Sequence, residues 1–274
     1  MKKKGILYIV PTPIGNLSDM TFRAVEVLKQ VAIIGAEDTR NSKKLLNHYN
    51  INTPMISYHK FNERKRVETI ISKLENGEDV AIISDAGTPG ISDPSGIIIE
   101  EVIKSGLRLE VLPGATAFIP ALVASGLNCE RFQFIGFLPE KNKSRETLFG
   151  NIKNNENTLI FYESPHKLHK FFQFLFDHLG NRRIVVVREI SKIYETYYRT
   201  TLEKIIEDPE LIITKGEFVI VVEGSKKIVL SDLEVKKLLM EEISDGIAKK
   251  TAVKRVTEKT GLNKNRVYDL ILEL

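Results

Sequence analysis

Apolar positions in this chain fall into two patterns, short unbroken runs and spaced stripes. These are the marks of buried strands and amphipathic helices. Leu7-Tyr8-Ile9-Val10, closed by Pro11, and Val80-Ala81-Ile82-Ile83 read as strands buried on both faces. Leu107 to Leu112 reads as a third strand, closed by Pro113-Gly114. Val25, Leu28 and Ala32, with Ala24 and Val31 beside them, form a helical stripe that Ser18 or Asp19 is placed to cap. Ile97 to Ile103 predicts a further helix, stopped by Gly106. Strand–helix–strand order with short Gly/Pro turns predicts an α/β unit with a largely parallel sheet.

A second set of elements begins near Phe132. Strands are expected at Phe132 to Gly136, Thr158 to Tyr162, Arg183 to Arg188, Glu195 to Arg199 and Glu217 to Val222. Among them Leu168, Phe171, Phe172, Leu175, Phe176 and Leu179 keep helical spacing and read as core rather than as an aromatic binding platform. No strand pattern follows Val222. Leu233 to Ile243, Ile247 to Val256 and Lys264 to Leu272 read as short helices separated by Gly246 and Gly261. The turn Gly126 to Glu130 marks a boundary, so three units are expected: residues 1–125, 126–228 and 229–274.

Composition narrows the class. Apolar residues make up 42% and charged residues 28%, which excludes a mostly disordered chain. Cys129 is the one cysteine, so neither an internal disulfide nor a cysteine-based zinc site can form. His166 and His169 lack a carboxylate of the H-E-x-x-H type between them, and no metal is expected. No apolar run approaches the roughly 18–20 residues that span a bilayer. The basic start Met1 to Gly5 is followed only by Ile6 to Val10 before Pro11, too short for a signal-peptide core. A cytoplasmic protein is expected.

Net charge is only +4, but it is unevenly spread. Between Gly246 and Tyr268 stand Lys249, Lys250, Lys254, Arg255, Lys259, Lys264 and Arg266 against the single acid Glu258, a net +6 that leaves −2 for the rest. On a small unit that looks like a helix-turn-helix, this is either a phosphate-binding footprint or a solvated basic face. Lys60 to Arg66 and Lys141 to Arg145 are smaller basic clusters that would extend such a surface.

Candidate chemistry sits in the turns. Pro11-Thr12-Pro13-Ile14-Gly15-Asn16 lacks the G-x-G-x-x-G spacing of a dinucleotide fold, and no P-loop occurs. Ser84 to Gly96 holds three glycines, two prolines and two aspartates directly after a buried strand. It reads as a ligand loop, or as a structural loop with capping aspartates. Pro113-Gly114-Ala115-Thr116-Ala117 leaves room for a flat ligand. In Gly35-Ala36-Glu37-Asp38-Thr39-Arg40, Asp38 or Thr39 is also placed to cap a helix beginning near Arg40. In Phe161-Tyr162-Glu163-Ser164-Pro165-His166, Ser164 and Pro165 suit a helix start, which leaves Glu163 without a structural task.

Taken together, Val10 to Leu17, Ala36 to Arg40, Ser84 to Pro89, Pro113-Gly114 and Phe161 to His166 resemble the tetrapyrrole-methylase superfamily over roughly residues 6–225. More narrowly they resemble its bacterial 16S rRNA (cytidine 2'-O) methyltransferase branch. The resemblance implies two α/β domains with S-adenosylmethionine in the cleft between them, a small helical C-terminal appendage, and a homodimer. Carried over by position, Pro11, Ile14, Asp85, Gly87, Thr88, Pro89, Ala115, Thr116 and Tyr162 would line the cofactor. Gly90-Ile91-Ser92 departs from the pattern and receives no assignment. The expected partner is 16S rRNA, free or within the small subunit, with the 2'-oxygen of a decoding-region cytidine as acceptor. Lys249, Lys250, Lys254, Arg255, Lys264 and Arg266 are the RNA-docking candidates.

Methyl transfer from a sulfonium is an in-line displacement that depends first on positioning. A carboxylate near the weakly acidic 2'-hydroxyl adds about 10²–10⁴-fold. Glu37, Asp38, Asp85 and Glu163 are candidates, Arg40 would hold a phosphate, and positioning without a base stays open. A tetrapyrrole-precursor methyltransferase and a non-catalytic RNA-binding protein remain the alternatives.

Overall fold

A computed structural model describes residues 3–226 and 230–274. The boundary expected at 228/229 lies outside the described residues, as do Met1 and Lys2 of the basic start.

The first sheet contains β1 (Ile6–Ile9), β2 (Ile33–Ala36), β3 (Met55–Ser57), β4 (Val80–Ile83) and β5 (Arg108–Val111). Its order is β3-β2-β4-β1-β5, and every pairing is parallel. Strand periodicity divides the apolar runs between two cores. Val10, Ala81 and Ile83 pack with Ala24 and Leu28 of α1 (Phe22–Gln30) and Leu46 of α2 (Thr39–His48). Leu7, Ile9, Val80 and Ile82 pack with Ile70 and Leu74 of α3 (Glu63–Glu75) and with Ile98 and Val102 of α4 (Gly96–Lys104). The connection leaving β1 runs to one side of the sheet and that leaving β4 to the other. A crevice therefore opens beyond the carboxyl ends of these neighbours.

Two local expectations are corrected. Thr21, not Ser18 or Asp19, caps α1, its hydroxyl accepting from the Ala24 amide at 3.1 Å. Ser18 and Asp19 lie instead in a 3₁₀ turn, Leu17–Asp19, capped by Asn16. Ala32 lies beyond the helix end and is exposed, so the buried stripe of α1 is Ala24 and Leu28.

The second sheet contains β6 (Phe132–Gly136), β7 (Thr158–Glu163), β8 (Arg183–Arg188), β9 (Thr196–Thr201) and β10 (Phe218–Val222). Its order is β6-β7-β10-β8-β9, antiparallel except at β6–β7. One face packs on Phe149 of α6 (Asn142–Ile152), on Leu168, Phe171, Phe172 and Leu175 of α7 (Leu168–Leu179), and on α8 (Leu202–Glu207). The opposite face, with Ile160, Val185, Val219 and Val221, receives Ala121 and Leu122 of α5 (Phe118–Ser125). The helix that follows the first sheet therefore packs on the second. This interlock joins the two units just before the turn at Gly126.

Three helices, α9 (Asp232–Ser244), α10 (Lys249–Thr260) and α11 (Lys264–Leu272), close the chain. They share their own core around Val235, Leu239, Val253, Val256, Val267 and Ile271. A capping box between Ser231 and Glu234 starts α9. Gly261, at φ +68°, ends α10 in the left-handed conformation and sets the short turn into α11. None of the described helices is long and apolar enough to cross a membrane.

Candidate active site

Three turns leave the carboxyl ends of β1, β4 and β5 and are stitched together. Thr12 and Gly87 exchange backbone hydrogen bonds of 2.9 Å in both directions, and the Thr12 hydroxyl donates to the Ser84 carbonyl at 3.1 Å. The Thr88 hydroxyl donates to the Ala115 carbonyl at 3.0 Å, joining the second turn to the third. Pro11 is buried beneath Gly114. A Cβ on that glycine would stand 2.8 Å from Pro11 Cγ and closer still to Pro11 Cβ. Proline rings and buried hydroxyls thus fix a turn cluster that has no glycine triad.

Between this cluster and the second sheet lies a cleft with a volume of about 370 Å³. Ile14, Gly87, Thr88 and Asp93 line it from the first unit and Thr116 and Ala117 from the link. Phe137, Tyr162, Glu163, Ile190, Glu217 and Val219 line it from the second. Its walls are largely apolar, with three acidic residues, Asp93, Glu163 and Glu217, in the lining. Such concave, mostly apolar sites with few polar groups suit small ligands. Gly87 sits at φ +81°, where its missing Cβ leaves space 3.6 Å from Ile14 Cγ2. Phe134 and Phe137 meet the Tyr162 ring edge-on at 5.0 and 5.7 Å. Burial pushes the Tyr162 phenol up to about 12, so it stays a neutral donor at physiological pH.

The expected residues separate into two groups. Ile14, Gly87, Thr88, Thr116, Tyr162 and Glu163 line the cleft. Pro11 and Pro89 are buried in the supporting turns, and Ala115 offers its carbonyl to Thr88. The Asp85 carboxylate faces α2, accepting from the Asp38 amide at 3.1 Å and from Asn41 Nδ2 at 3.4 Å. Asp38 caps α2 and is ion-paired with Arg40 at 2.8 Å. The Arg40 guanidinium holds the Asp38 carboxyl down to about 2, which makes it a poor base. Glu37 is raised by burial and then by Asp85, but it stands outside the cleft lining. Glu163 is buried, with Oε1 accepting from the Ser164 amide at 2.8 Å and from the Ser164 hydroxyl at 3.3 Å. The Ser164 hydroxyl therefore serves the carboxylate and makes no cap bond, and Pro165 opens a 3₁₀ turn ahead of α7.

Asp93, Phe137, Ile190, Glu217 and Val219 were not singled out from sequence. Asp93 lies in the Ser84 to Gly96 loop, so its composition carried a signal. The other four reach the cleft only through the packing of the second sheet.

On the C-terminal unit Lys249, Lys250, Lys254 and Lys264 are exposed. Arg255 pairs with Glu242 at 3.2 Å. Arg266 pairs with Asp232 at 2.6 Å and donates to the Leu230 carbonyl at 2.9 Å. Lys254 has Glu258 at 3.8 Å. Lys249, Lys250 and Lys264 have no acidic partner within 4 Å among the described residues. Lys249 and Lys250 open α10 and Lys264 opens α11. Cations there oppose the helix dipole, so these lysines do not serve helix stability.

A model of the family Tetrapyrrole (Corrin/Porphyrin) Methylases matches residues 6–206. A protein of Halalkalibacterium halodurans named ribosomal RNA small subunit methyltransferase I is 42% identical over 273 residues, covering 97% of this chain and 94% of its own. The protein of the same name from Haemophilus influenzae is 44% identical, covering 96% and 95%. Uroporphyrin-III-C-methyltransferase of Thermus thermophilus, a solved structure, aligns with a TM-score of 0.55 at 18% identity. It covers 80% of this chain and 94% of that one, which is a likeness of fold.

Proposed function

The chain belongs to the tetrapyrrole methylase family, and from that premise we propose that it transfers the methyl group of S-adenosylmethionine to the 2'-oxygen of a cytidine in the decoding region of 16S rRNA. The observation that carries this reading is how far the likeness extends. The rRNA methyltransferase relatives match nearly the whole chain, including the basic helical unit, whereas the family model ends at residue 206.

The cleft suits S-adenosylmethionine. Its apolar walls accept the adenosine, and Glu163 and Glu217 complement the sulfonium and ammonium charges. Gly87 leaves an opening for close approach to the backbone. When bound, S-adenosylmethionine supplies an electrophilic methyl group. The chain's own residues hold the acceptor in line with it and exclude water, so most of the acceleration comes from position. Thr88 keeps two of the three turns in register. Asp85 steadies the start of α2. Thr88→Ala is therefore expected to weaken S-adenosylmethionine binding in calorimetry, while Asp85→Ala leaves it unchanged. Equal losses in the two variants would contradict this division.

The helical unit docks the RNA. A phosphate at the start of α10, which has no side-chain cap, would meet free amides, a favourable dipole and an unpaired lysine together, whereas at α11 the Asn263 side chain already takes the Asn265 amide and Lys264 adds only its charge. Lys249→Ala, Lys250→Ala and Lys264→Ala are each expected to flatten the salt dependence of RNA binding by about 0.7–0.9 in log–log slope. Arg255→Ala and Arg266→Ala are expected to do less, because Glu242 and Asp232 already neutralise those side chains. Filter binding over a salt series distinguishes them. A cytoplasmic homodimer completes the reading, and sedimentation measures the assembly state. The test in cells is mass spectrometry of 16S rRNA from a deletion strain. Loss of one ribose methyl, restored by complementation, is expected. Unchanged RNA with a blocked corrin pathway would select a tetrapyrrole substrate instead.

A further inference from the structure

Asp93 is the carboxylate that the Ser84 to Gly96 loop delivers into the cleft from the first unit. Its neighbour Ser92 is held at φ +69°, a left-handed conformation that a non-glycine residue adopts at a cost. Any Cβ at Gly136 would press on the Ser92 hydroxyl at 3.3 Å, so β6 packs closely against this strained corner. The loop is thus fixed in an unfavourable backbone state at the point where its acid enters the cleft.

We infer that Asp93 accepts the proton of the 2'-hydroxyl during methyl transfer. The inference rests on the methyltransferase reading above. As the ribose oxygen bonds to the methyl carbon, the carbon–sulfur bond breaks and sulfur keeps its electron pair. The hydroxyl proton passes to a carboxylate oxygen of Asp93.

Geometry separates Asp93 from the other carboxylates. Glu37, Asp38 and Asp85 stand outside the cleft lining, Asp38 and Asp85 being committed to α2. Glu163 lines the cleft, but one of its oxygens is occupied by Ser164. Glu217 shares its charge with Lys192 at 3.0 Å. The surroundings of Asp93 also favour a stronger base. Burial raises its carboxyl, and Glu37 and Asp85 raise it further against the opposing Ser84 hydroxyl, to about 6. Tyr162 lines the same cleft and feels the Asp93 charge, and His59 acts on Glu37. Asp93 is thus ionised at neutral pH yet more basic than an ordinary carboxylate, as proton transfer favours.

The sign of the stability effect follows. A folded-state pKa above the unfolded value makes ionisation cost stability, and that cost appears as pH rises through about 6. Asp93→Asn should therefore raise Tm at pH 7.5, and the gain should vanish near pH 4. This readout needs neither cofactor nor RNA.

The experiment combines single-turnover methylation of small subunits across pH with thermal melts of wild type, Asp93→Asn, Glu37→Gln and Glu163→Gln. The wild-type rate is expected to rise to a midpoint near 6. Asp93→Asn is expected to fall about 100-fold or more and lose that limb, with S-adenosylmethionine affinity retained. Glu37→Gln removes a like charge and should move the midpoint to lower pH. Glu163→Gln should keep the midpoint near the wild-type value. An Asp93→Asn enzyme with wild-type rate and pH limb overturns the inference, as does a lower Tm at pH 7.5. So does transfer of the limb's loss to Glu163→Gln. Failure of wild type to methylate any RNA overturns the methyltransferase reading and this step with it. That result is distinct from active wild type beside an equally active variant.

Discussion

Ala117→Trp is expected to lower S-adenosylmethionine affinity by at least about 100-fold, equivalent to about 2.8 kcal/mol, and to abolish methyl transfer. Ala117 lines the cleft where the third turn enters α5, with ordinary helical backbone angles of −69° and −34° that any residue accepts. It is only half-buried, on the rim of the core that holds Ala121 and Val219, and it lines the cleft, so an indole there extends into the cleft. The ring takes the space among Ile14, Tyr162 and Val219. The melting temperature should change little, and RNA affinity, which the proposal gives to the helical unit, should persist. Calorimetry with S-adenosylmethionine beside filter binding with RNA measures both. Retained cofactor affinity would place the cofactor elsewhere.

Gly114→Val is expected to cost about 1–3 kcal/mol of stability, the usual range for forcing atoms into a packed site. The first turn cannot yield, because Pro11 is rigid and buried and the next residue, Thr12, is bridged to Gly87. Relief must come from displacing the third turn, which carries Ala115 away from the Thr88 hydroxyl and Thr116 from the cleft. Cofactor binding should weaken along with the urea midpoint. A variant with wild-type midpoint and affinity would show that the turns are not coupled through this contact.

The central strands and the closing helices were legible because their patterns are local. Val80 to Ile83 and Lys264 to Leu272 coincide with β4 and α11. The stripe at Leu168 to Leu179 coincides with α7. β3 was not legible: it has three half-buried residues beside Pro54, at the edge of the sheet. α3 was hidden by its charged face, although Ile70 and Leu74 are fully buried. At the cleft, Ile14, Gly87 and Tyr162 were implied by the family resemblance of their turns, and all three line it. Asp85 was attractive for the same reason, yet its side chain turns toward Asp38 and Asn41. Ile190 and Val219 become neighbours of Ile14 only when the two sheets close on one cleft. Spacing along the chain holds no trace of that. Nor does local charge show that Arg255 and Arg266 are already paired across helices to Glu242 and Asp232.

The most direct test supplies methyl-labelled S-adenosylmethionine and the purified protein to small ribosomal subunits from a strain lacking it, followed by digestion of the RNA to nucleosides. The account predicts label in 2'-O-methylcytidine from a single position of 16S rRNA. RNA that stays unlabelled, while the same protein methylates a uroporphyrin-type tetrapyrrole, would contradict it.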